Sequence, residues 1–542
     1  MMRLGTSGYR LAHLLLLLLS FLLLLESGDG ASNSSSKLAA EIEAVTSRPE
    51  FEGCRWGIAA HRVVDGVAIE VIYENRDAAS FFTPASNLKL LACYAAWLTL
   101  GPHYRFSTPI AASFGGDGSD SDGKTDNDES KGRRRSTQAN ITLCASNDPS
   151  LTSSELATAA RRAVLAAPER FRHLDSLSVR VDNRRGPDGT FPSSWEFGDL
   201  PYYYGAPPAS VILDGNLVSV RIEAASEQGE SSKANVTVLS PGGDECFRVV
   251  NQVEVVPGSS SSSGVSLKFA VREGDLCLVL NGEVAQGSDA LEMSVACGDP
   301  LRRAADALSS SLPVDQSLLK GSGTAAGTVL NDAPECNELE GPRVLTTIRS
   351  RPLEELLNHT LQYSDNTYAE AILRRQGDII ADAAAAATAA RWRTNTGSTY
   401  AASLAAVAAT LSGDAAGTLN TSHYSSVDGS GLSRHDLVTP RFLVSLLAHA
   451  DWNFVELLPL AGRTGTLAGR FQGTPAEGVL YAKTGTETHI NALSGRIKGQ
   501  GGGAMGSAAS EVAFSILTNS CPQPSSVVRQ GIDDIAVLFV GA

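Results

Sequence analysis

At 542 residues, 43% hydrophobic and 19% charged, the chain is long enough for two or more domains with sizeable cores. A net charge of −15 argues against nucleic acid as the main partner. The one basic cluster, Arg133-Arg134-Arg135, sits in a Gly/Ser/Asp stretch and reads as a solvated loop.

The first element is a targeting signal. Arg3 and Arg10 precede Leu11 to Leu25, apolar apart from His13 and Ser20, and small and polar residues follow to Ala31. That order predicts a secretory signal peptide over residues 1–30, cleaved near Gly30. Its apolar core, about 15 residues, is short for a membrane-spanning helix, and no later segment reaches that length. The mature protein is expected to be soluble, in an extracellular, periplasmic or organellar lumen.

Further along, Lys37 to Val45 reads as a helix, and Trp56 to Asn75 as two strands around Asp65-Gly66. In TPASNLKLLACYAAW, Pro84 and Ser86 precede helix formers with Leu88, Leu91, Ala92 and Ala95 at helical spacing. The charged, low-complexity stretch 115–138 cannot bury a core and is expected to be a disordered insert. Ser153 to Ala167 reads as a helix and Leu177 to Val181 as a strand. From 206 to 295 short β-rich runs separated by Ser/Gly turns predict a β-rich accessory insert.

Helical patterns return from Asp299, from Leu353 to Arg375, from Ala383 to Ala390 and from Ala401 to Leu411. Val479 to Lys483, Ile490 to Ile497 and Val512 to Leu517 read as strands, and Ser526 to Val540 as a closing helix. The expected fold class is α+β, an antiparallel sheet flanked by helices. Its first part (37–205) precedes the β insert and its second (296–542) follows it.

Eight cysteines suit an oxidising compartment, but no CxxC or Cys/His spacing points to a metal. Their pairing is not readable from sequence; Cys93, on the apolar face of its helix, is expected to be a free core thiol. Asn-x-Ser/Thr sequons at Asn33, Asn140, Asn235, Asn358 and Asn420 are weak evidence for glycosylation. The nine histidines form no HxxxH or HxH pair, and no GxSxG surrounds Ser86, which argues against a His/Asp triad.

Three short signals recur in order: Ser86-x-x-Lys89, Ser364-Asp365-Asn366 and Lys483-Thr484-Gly485. Alone each is cheap, an N-cap, a helix entry and a strand end. Together, with SxxK at a helix start, SDN entering a helix and KTG closing a late strand, they match the three elements of the penicillin-recognising serine enzymes. The flanks TPASNLKLL, SRPLEELLNHTLQYSDNTYAEAILRR, VDGSGLSRHDLVTP, LLPLAGRTGTLAGR and YAKTGTETHINALSGRI narrow the likeness. They resemble the D-alanyl-D-alanine carboxypeptidase/endopeptidase family of class C penicillin-binding proteins. LCASNDPSLT, SWEFGDLPYYYGAP and ACGDPLRRAADAL resemble further signatures of it, in its order. The insert 115–138 and ASND, where a more glycine-rich run is usual, are departures that leave the three motifs untouched.

The resemblance implies a β-lactamase/DD-peptidase fold and hydrolysis of peptidoglycan stem peptides ending in D-Ala-D-Ala. An acyl-enzyme on Ser86, β-lactams as covalent inhibitors, and no metal or cofactor complete the implied chemistry. Ser86 would be the nucleophile and Lys89 its base; Ser364 and Lys483 would relay the proton, and Asn366 would bond Lys89 and the substrate amide. Thr484, Gly485 and Thr486 would line the substrate, with the backbone N–H groups of Ser86 and Thr486 as oxyanion hole. Asp182 and Arg434 resemble positions near the stem peptide, a surface ion pair or turn being the plainer reading; Asp428 and Gly429 to Gly431 read as a turn. Two rival functions are a β-lactamase-like esterase or amidase on another substrate, and a non-catalytic D-Ala-D-Ala-binding module. The serine of Ser364-Asp365-Asn366 argues against the first, and the presence of both Ser86 and Lys89 against the second.

Overall fold

The computed structural model describes residues 36–64, 66–114, 138–183, 191–224, 233–257, 264–319, 327–330, 336, 344–387, 400–413, 419–499 and 511–542. The expected signal peptide, and the expected insert up to Gln138, lie outside them. In chain order the elements are α1 (36–46), β1 (Arg55–Val64), β2 (Val67–Glu74), α2 (Lys89–Leu100), β3 (Ser107–Phe114) and β4 (Gln138–Leu143). Next come α3 (Ser153–Ala166), α4 (Pro168–Arg172), β5 (Ser176–Asp182), β6 (Leu217–Glu223), β7 (Asn235–Val238), β8 (Arg248–Val256), β9 (Gly264–Arg272), β10 (Asp275–Ala285) and β11 (Leu291–Ala296). They continue with α5 (Pro300–Ser311), β12 (Gly327–Leu330), β13 (Val344–Arg349), α6 (Leu353–Tyr363), α7 (Asn366–Ala387), α8 (Tyr400–Ser412), β14 (Tyr424–Ser425) and β15 (Leu437–Val438). The last are α9 (Pro440–His449), α10 (Trp452–Val455), β16 (Leu480–Glu487), β17 (Ile490–Ile497), β18 (Glu511–Asn519) and α11 (Ser525–Leu538).

The chain divides into two compact units, one of residues up to Asn87 with Leu437–Ala542, the other of Leu88–Asp436. The first is built on an antiparallel sheet in the order β16-β17-β18-β1-β2. Every residue of β17 is buried, as a strand covered on both faces requires. Helix α9 packs on β18 and β1, and α11 on β17. Thr439 starts α9 by accepting from the Phe442 N–H, with Pro440 in the first turn where its missing N–H costs nothing. Ile42, Phe51, Trp56, Phe514 and Ile532 belong to one apolar core, and the Cys54–Cys521 disulfide ties chain segments 467 residues apart.

In the second unit a five-stranded sheet, β12-β5-β4-β3-β13, shares a core with α3 and α5. Thr152 and Glu155 form a reciprocal capping box that starts α3, and Asp299 caps α5. The β-rich stretch forms two three-stranded sheets, β8-β10-β9 and β11-β6-β7, with a core of their own that contains Cys246–Cys297. Cys144 pairs with Cys336, while Cys93 and Cys277 are buried and in no disulfide. Helix α2 packs against α6, α7 and α8.

Two local expectations change. The helix expected from Ala383 to Ala390 is, over its described residues, the end of α7, which runs unbroken from Asn366 to Ala387. Helix α7 is entered at Ser364-Asp365-Asn366 as expected, after Ser364 takes a left-handed conformation (φ 60°, ψ 36°) that ends α6. Strand β16 does not stop at Lys483 but runs on to Glu487, so Lys483-Thr484-Gly485 lies inside the strand. Its partner β17 matches it residue for residue, from Leu480 opposite Ile497 to Glu487 opposite Ile490.

Candidate active site

In the first unit, Ser86 sits in a short 3-10 turn, Ala85–Leu88, that leads into α2. Ala85 before it has φ 47°, a conformation a non-glycine residue adopts at a cost. The turn is held from both sides. Asn519 at the end of β18 accepts from the Thr83 N–H at 2.9 Å and donates to the Thr83 carbonyl at 3.0 Å. The Asn87 amide donates to the Lys483 carbonyl at 3.1 Å, which fastens the serine turn to β16. Ser86 is half-buried among buried neighbours, so its hydroxyl can be reached while its backbone is fixed.

Gly485 completes this contact. A Cβ there would lie 2.7 Å from the Pro84 carbonyl oxygen and 3.0 Å from the Asn87 amide. The glycine is needed for the serine turn to pack on the strand. Lys483 is fully buried and donates to the Thr484 carbonyl at 2.9 Å; the Thr484 hydroxyl donates to that of Thr466 at 2.9 Å. Ala482 N–H points away from β17, to the Pro459 carbonyl at 2.9 Å. Strand alternation turns the N–H groups of Thr484 and Thr486 to that same outer edge.

In the second unit, Lys89 opens α2 as a fully buried ammonium. It donates to the Asn366 side-chain oxygen at 2.6 Å and to the Ser430 carbonyl at 2.7 Å. Burial pulls its pKa down from the usual 10.5 to about 8, against the opposing charges of Asp428, Glu370, Cys93 and Asp365. Asn366 begins α7 and donates to the Tyr204 carbonyl at 2.8 Å, which fixes which end of its amide faces the lysine. Asp365 caps the helix by accepting from the Tyr368 N–H at 3.1 Å and faces His359 at 3.2 Å. Ser364, half-buried, is presented by the left-handed turn just before that cap.

Sequence reasoning missed the carboxylates around Lys89. Glu370, on α7 one turn after Asn366, accepts from the N–H groups of Gly429 (3.0 Å) and Ser430 (2.8 Å). Asp428 builds the next turn, accepting from the Gly431 N–H at 2.7 Å, the Ser433 N–H at 2.8 Å and the Trp195 indole at 3.0 Å. Asp436 accepts from the Val427 N–H at 2.7 Å. Burial and the Asp428 charge push the Glu370 and Asp436 carboxyls well up. The i, i+4 spacing of Asn366 and Glu370 was the available signal. Asp182 and Arg434 have other surroundings. Asp182 ends β5, buried, accepting from the Ala145 N–H at 3.3 Å. Arg434, half-exposed, pairs with Glu196 at 2.5 Å, as in the plainer reading.

Known proteins resemble this chain over nearly all its length. The family model of the D-Ala-D-Ala carboxypeptidase 3 (S13) family matches residues 38–539. A penicillin-sensitive carboxypeptidase A from Dictyostelium discoideum is 28% identical over 539 residues, covering 95% of this chain and 94% of that protein. A D-alanyl-D-alanine carboxypeptidase from Actinomadura sp. strain R39 is 28% identical over 530 residues, covering 94% of this chain and 85% of that one. The crystal structure of penicillin binding protein 4 from Haemophilus influenzae superposes with a TM-score of 0.68 at 20% identity, covering 92% of this chain and 98% of that one, a likeness of fold.

Proposed function

The chain belongs to the D-Ala-D-Ala carboxypeptidase 3 (S13) family, and we infer that it is a serine-type D-Ala-D-Ala carboxypeptidase acting on peptidoglycan stem peptides. One observation carries the reading at the level of chemistry. Lys89, three residues after Ser86, is fully buried and held by the Asn366 side chain and the Ser430 carbonyl, and that burial brings it down to about 8, close to where a general base works best.

In the proposed mechanism Ser86 Oγ attacks the carbonyl of the penultimate D-alanine as Lys89 takes its proton. The Ser86 and Thr486 N–H groups receive the developing oxyanion, contributing about 3–4 kcal/mol of barrier lowering. The peptide C–N bond then breaks. Ser364 and Lys483 relay the proton taken up by Lys89 to the leaving D-alanine nitrogen, so that Lys89 is neutral again and the peptide is left as an ester on Ser86. Water attacks that ester, Lys89 accepts its proton and returns it to Ser86 Oγ, and the shortened peptide departs with Ser86 restored. Asn366 holds Lys89 and the substrate amide, and the hydroxyls of Thr484 and Thr486 meet the terminal carboxylate. The outer edge of β16 beyond Ala482 supports this, since an extended peptide can add there as a strand. A β-lactam would acylate Ser86 in the same way, but its opened ring stays attached. The H. influenzae relative has been solved complexed with a β-lactam.

Arg434 and Asp182 are proposed as contacts to the rest of the stem peptide, Arg434 by exchanging Glu196 for a substrate carboxylate. The segment 206–295, with its own core, is proposed as an accessory insert in a peptidase domain of 37–205 and 296–542. The proposed compartment is reached by the secretory route, and three disulfides suit an oxidising lumen. No helix among the described residues is long and apolar enough to cross a membrane.

A fluorescent penicillin tests the mechanism. The intact protein should be labelled covalently, and Ser86→Ala should not; absence of label on the intact protein ends the reading. A pentapeptide ending in D-Ala-D-Ala, assayed beside a cross-linked muropeptide, separates carboxypeptidase from endopeptidase action.

A further inference from the structure

Lys89 has two acceptors described above, and one face of α7 stands behind both. Asn366 supplies its side-chain oxygen directly. The second acceptor, the Ser430 carbonyl, belongs to a loop with no strand or helix to hold it in place. What holds it is Glu370, four residues after Asn366 and so on the same face of the helix. A single oxygen of Glu370, Oε1, takes both the Gly429 and the Ser430 N–H groups, which orients the peptide units running into that carbonyl.

The loop is also pressed against the helix. A Cβ on Gly429 would lie 2.9 Å from the Leu373 Cβ and 3.2 Å from the Ala369 carbonyl oxygen, so only glycine allows this approach. From the other side Asp428 ties the loop to Trp195 and to the N–H groups of Gly431 and Ser433. Glu370 is fully buried, and a carboxylate so placed is costly unless it does something for the structure around it. The Tyr400 hydroxyl faces that carboxylate.

We propose that Glu370 is a positioning residue for the general base, holding the Gly429–Ser430 peptide so that the Ser430 carbonyl aims the Lys89 ammonium. The proposal rests on Lys89 acting as the base of the acylation step. Glu370 touches neither substrate nor Ser86 in this role; it acts through the loop. It also adds a negative charge near Lys89. The charged or titratable groups around the pair are Asp428, Asp365 and Cys93 toward Lys89, Asp428 and Asp436 toward Glu370, and Tyr400 with Arg374 on the far side.

The test is the rate of penicillin acylation against pH in the full chain, for wild type, Glu370→Gln and Glu370→Met. Wild type must be labelled at Ser86; if it is not, the enzymatic reading fails before this one is reached. Gln keeps an oxygen for the two N–H groups and removes the charge. Its maximal rate should stay within a few-fold of wild type, with the acid limb displaced to lower pH, since Lys89 then loses its proton more readily. Met fills the same volume with no acceptor, and its maximal rate should fall on the order of 100-fold, the usual scale for a misplaced catalytic group. A labelled wild type beside Gln and Met variants of unchanged rate and unchanged limb overturns the proposal. Should the Met variant not fold, Glu370→Asp decides: it keeps the charge but falls one methylene short of the two N–H groups, so a maximal rate lowered about tenfold or more supports the proposal, and an unchanged rate overturns it.

Discussion

Lys89 and Lys483 are both fully buried lysines, yet they are presented by different elements. Lys483 sits on a strand, its nitrogen on the Thr484 carbonyl of its own backbone and its neighbour Thr484 on the Thr466 hydroxyl. Lys89 opens a helix and is met by groups from elsewhere in the chain, Asn366 and the Ser430 carbonyl, with Asp428, Glu370 and Asp365 around it. A strand gives a charge a fixed address and few means of adjusting it. A helix terminus facing a carboxylate-held loop gives a proton acceptor whose strength neighbouring charges set. In the mechanism proposed above, Lys89 is the group that gains and loses a proton, and its surroundings suit that role.

The largest effect should come from breaking the Lys89 side of the comparison. Lys89→Met removes the base while filling its space, and acylation by penicillin should drop on the order of 10³-fold. In the wild type the acid limb of acylation should have its midpoint near 8, where Lys89 becomes neutral. The rate should therefore rise with pH from about 7 to 9. A limb centred near 6, the range of an unperturbed histidine, would remove Lys89 from the role.

The strand side should be sensitive to shape more than to charge. Gly485→Ala places a methyl against the Pro84 carbonyl and the Asn87 amide, displacing the serine turn from β16. Acylation should fall on the order of 100-fold, with the acid limb unmoved, because nothing near Lys89 has changed. A moved limb would mean that the two lysines are not separable in this way.

The contrast also explains what could be read in advance. The strand side announces itself locally, because Lys483, Thr484 and Gly485 are consecutive. Ser86 with Lys89, and Ser364 with Asn366, are likewise within a few residues of each other. The helix entry at Ser364-Asp365-Asn366 was legible in the same way, but serine carries no mark of the left-handed conformation that ends α6. The end of β16 was placed too early because glycine in Lys483-Thr484-Gly485 reads as a turn; here it is required by packing against Pro84 and Asn87. The carboxylate cluster was least legible. Glu370 and Asp428 are 58 positions apart in the numbering, and only the fold turns an ordinary-looking helix glutamate and a turn aspartate into neighbours of Lys89.

The smallest expected effect lies at the outer edge of that cluster. Asp436 is buried, faces Asp428, and has one oxygen, Oδ2, with no donor to accept from among the described residues. Two carboxylates so placed favour a proton on one of them, and the raised pKa of Asp436 puts it there. Asparagine mimics that neutral acid, with its oxygen on the Val427 N–H and its amide donating toward Asp428. A group whose folded pKa is raised stabilises the fold fully at pH below its unfolded pKa, and that contribution is lost as pH rises through the folded value. Asp436→Asn should therefore melt close to wild type at pH 4 and gain on it steadily toward pH 8. Asp436→Ala, which abandons the Val427 N–H, should cost about 1–3 kcal/mol in the same measurement. A difference between Asn and wild type that shrinks with pH would mean that Asp436 is ionised in the fold, and that the negative charge around Lys89 is greater than the arrangement here implies.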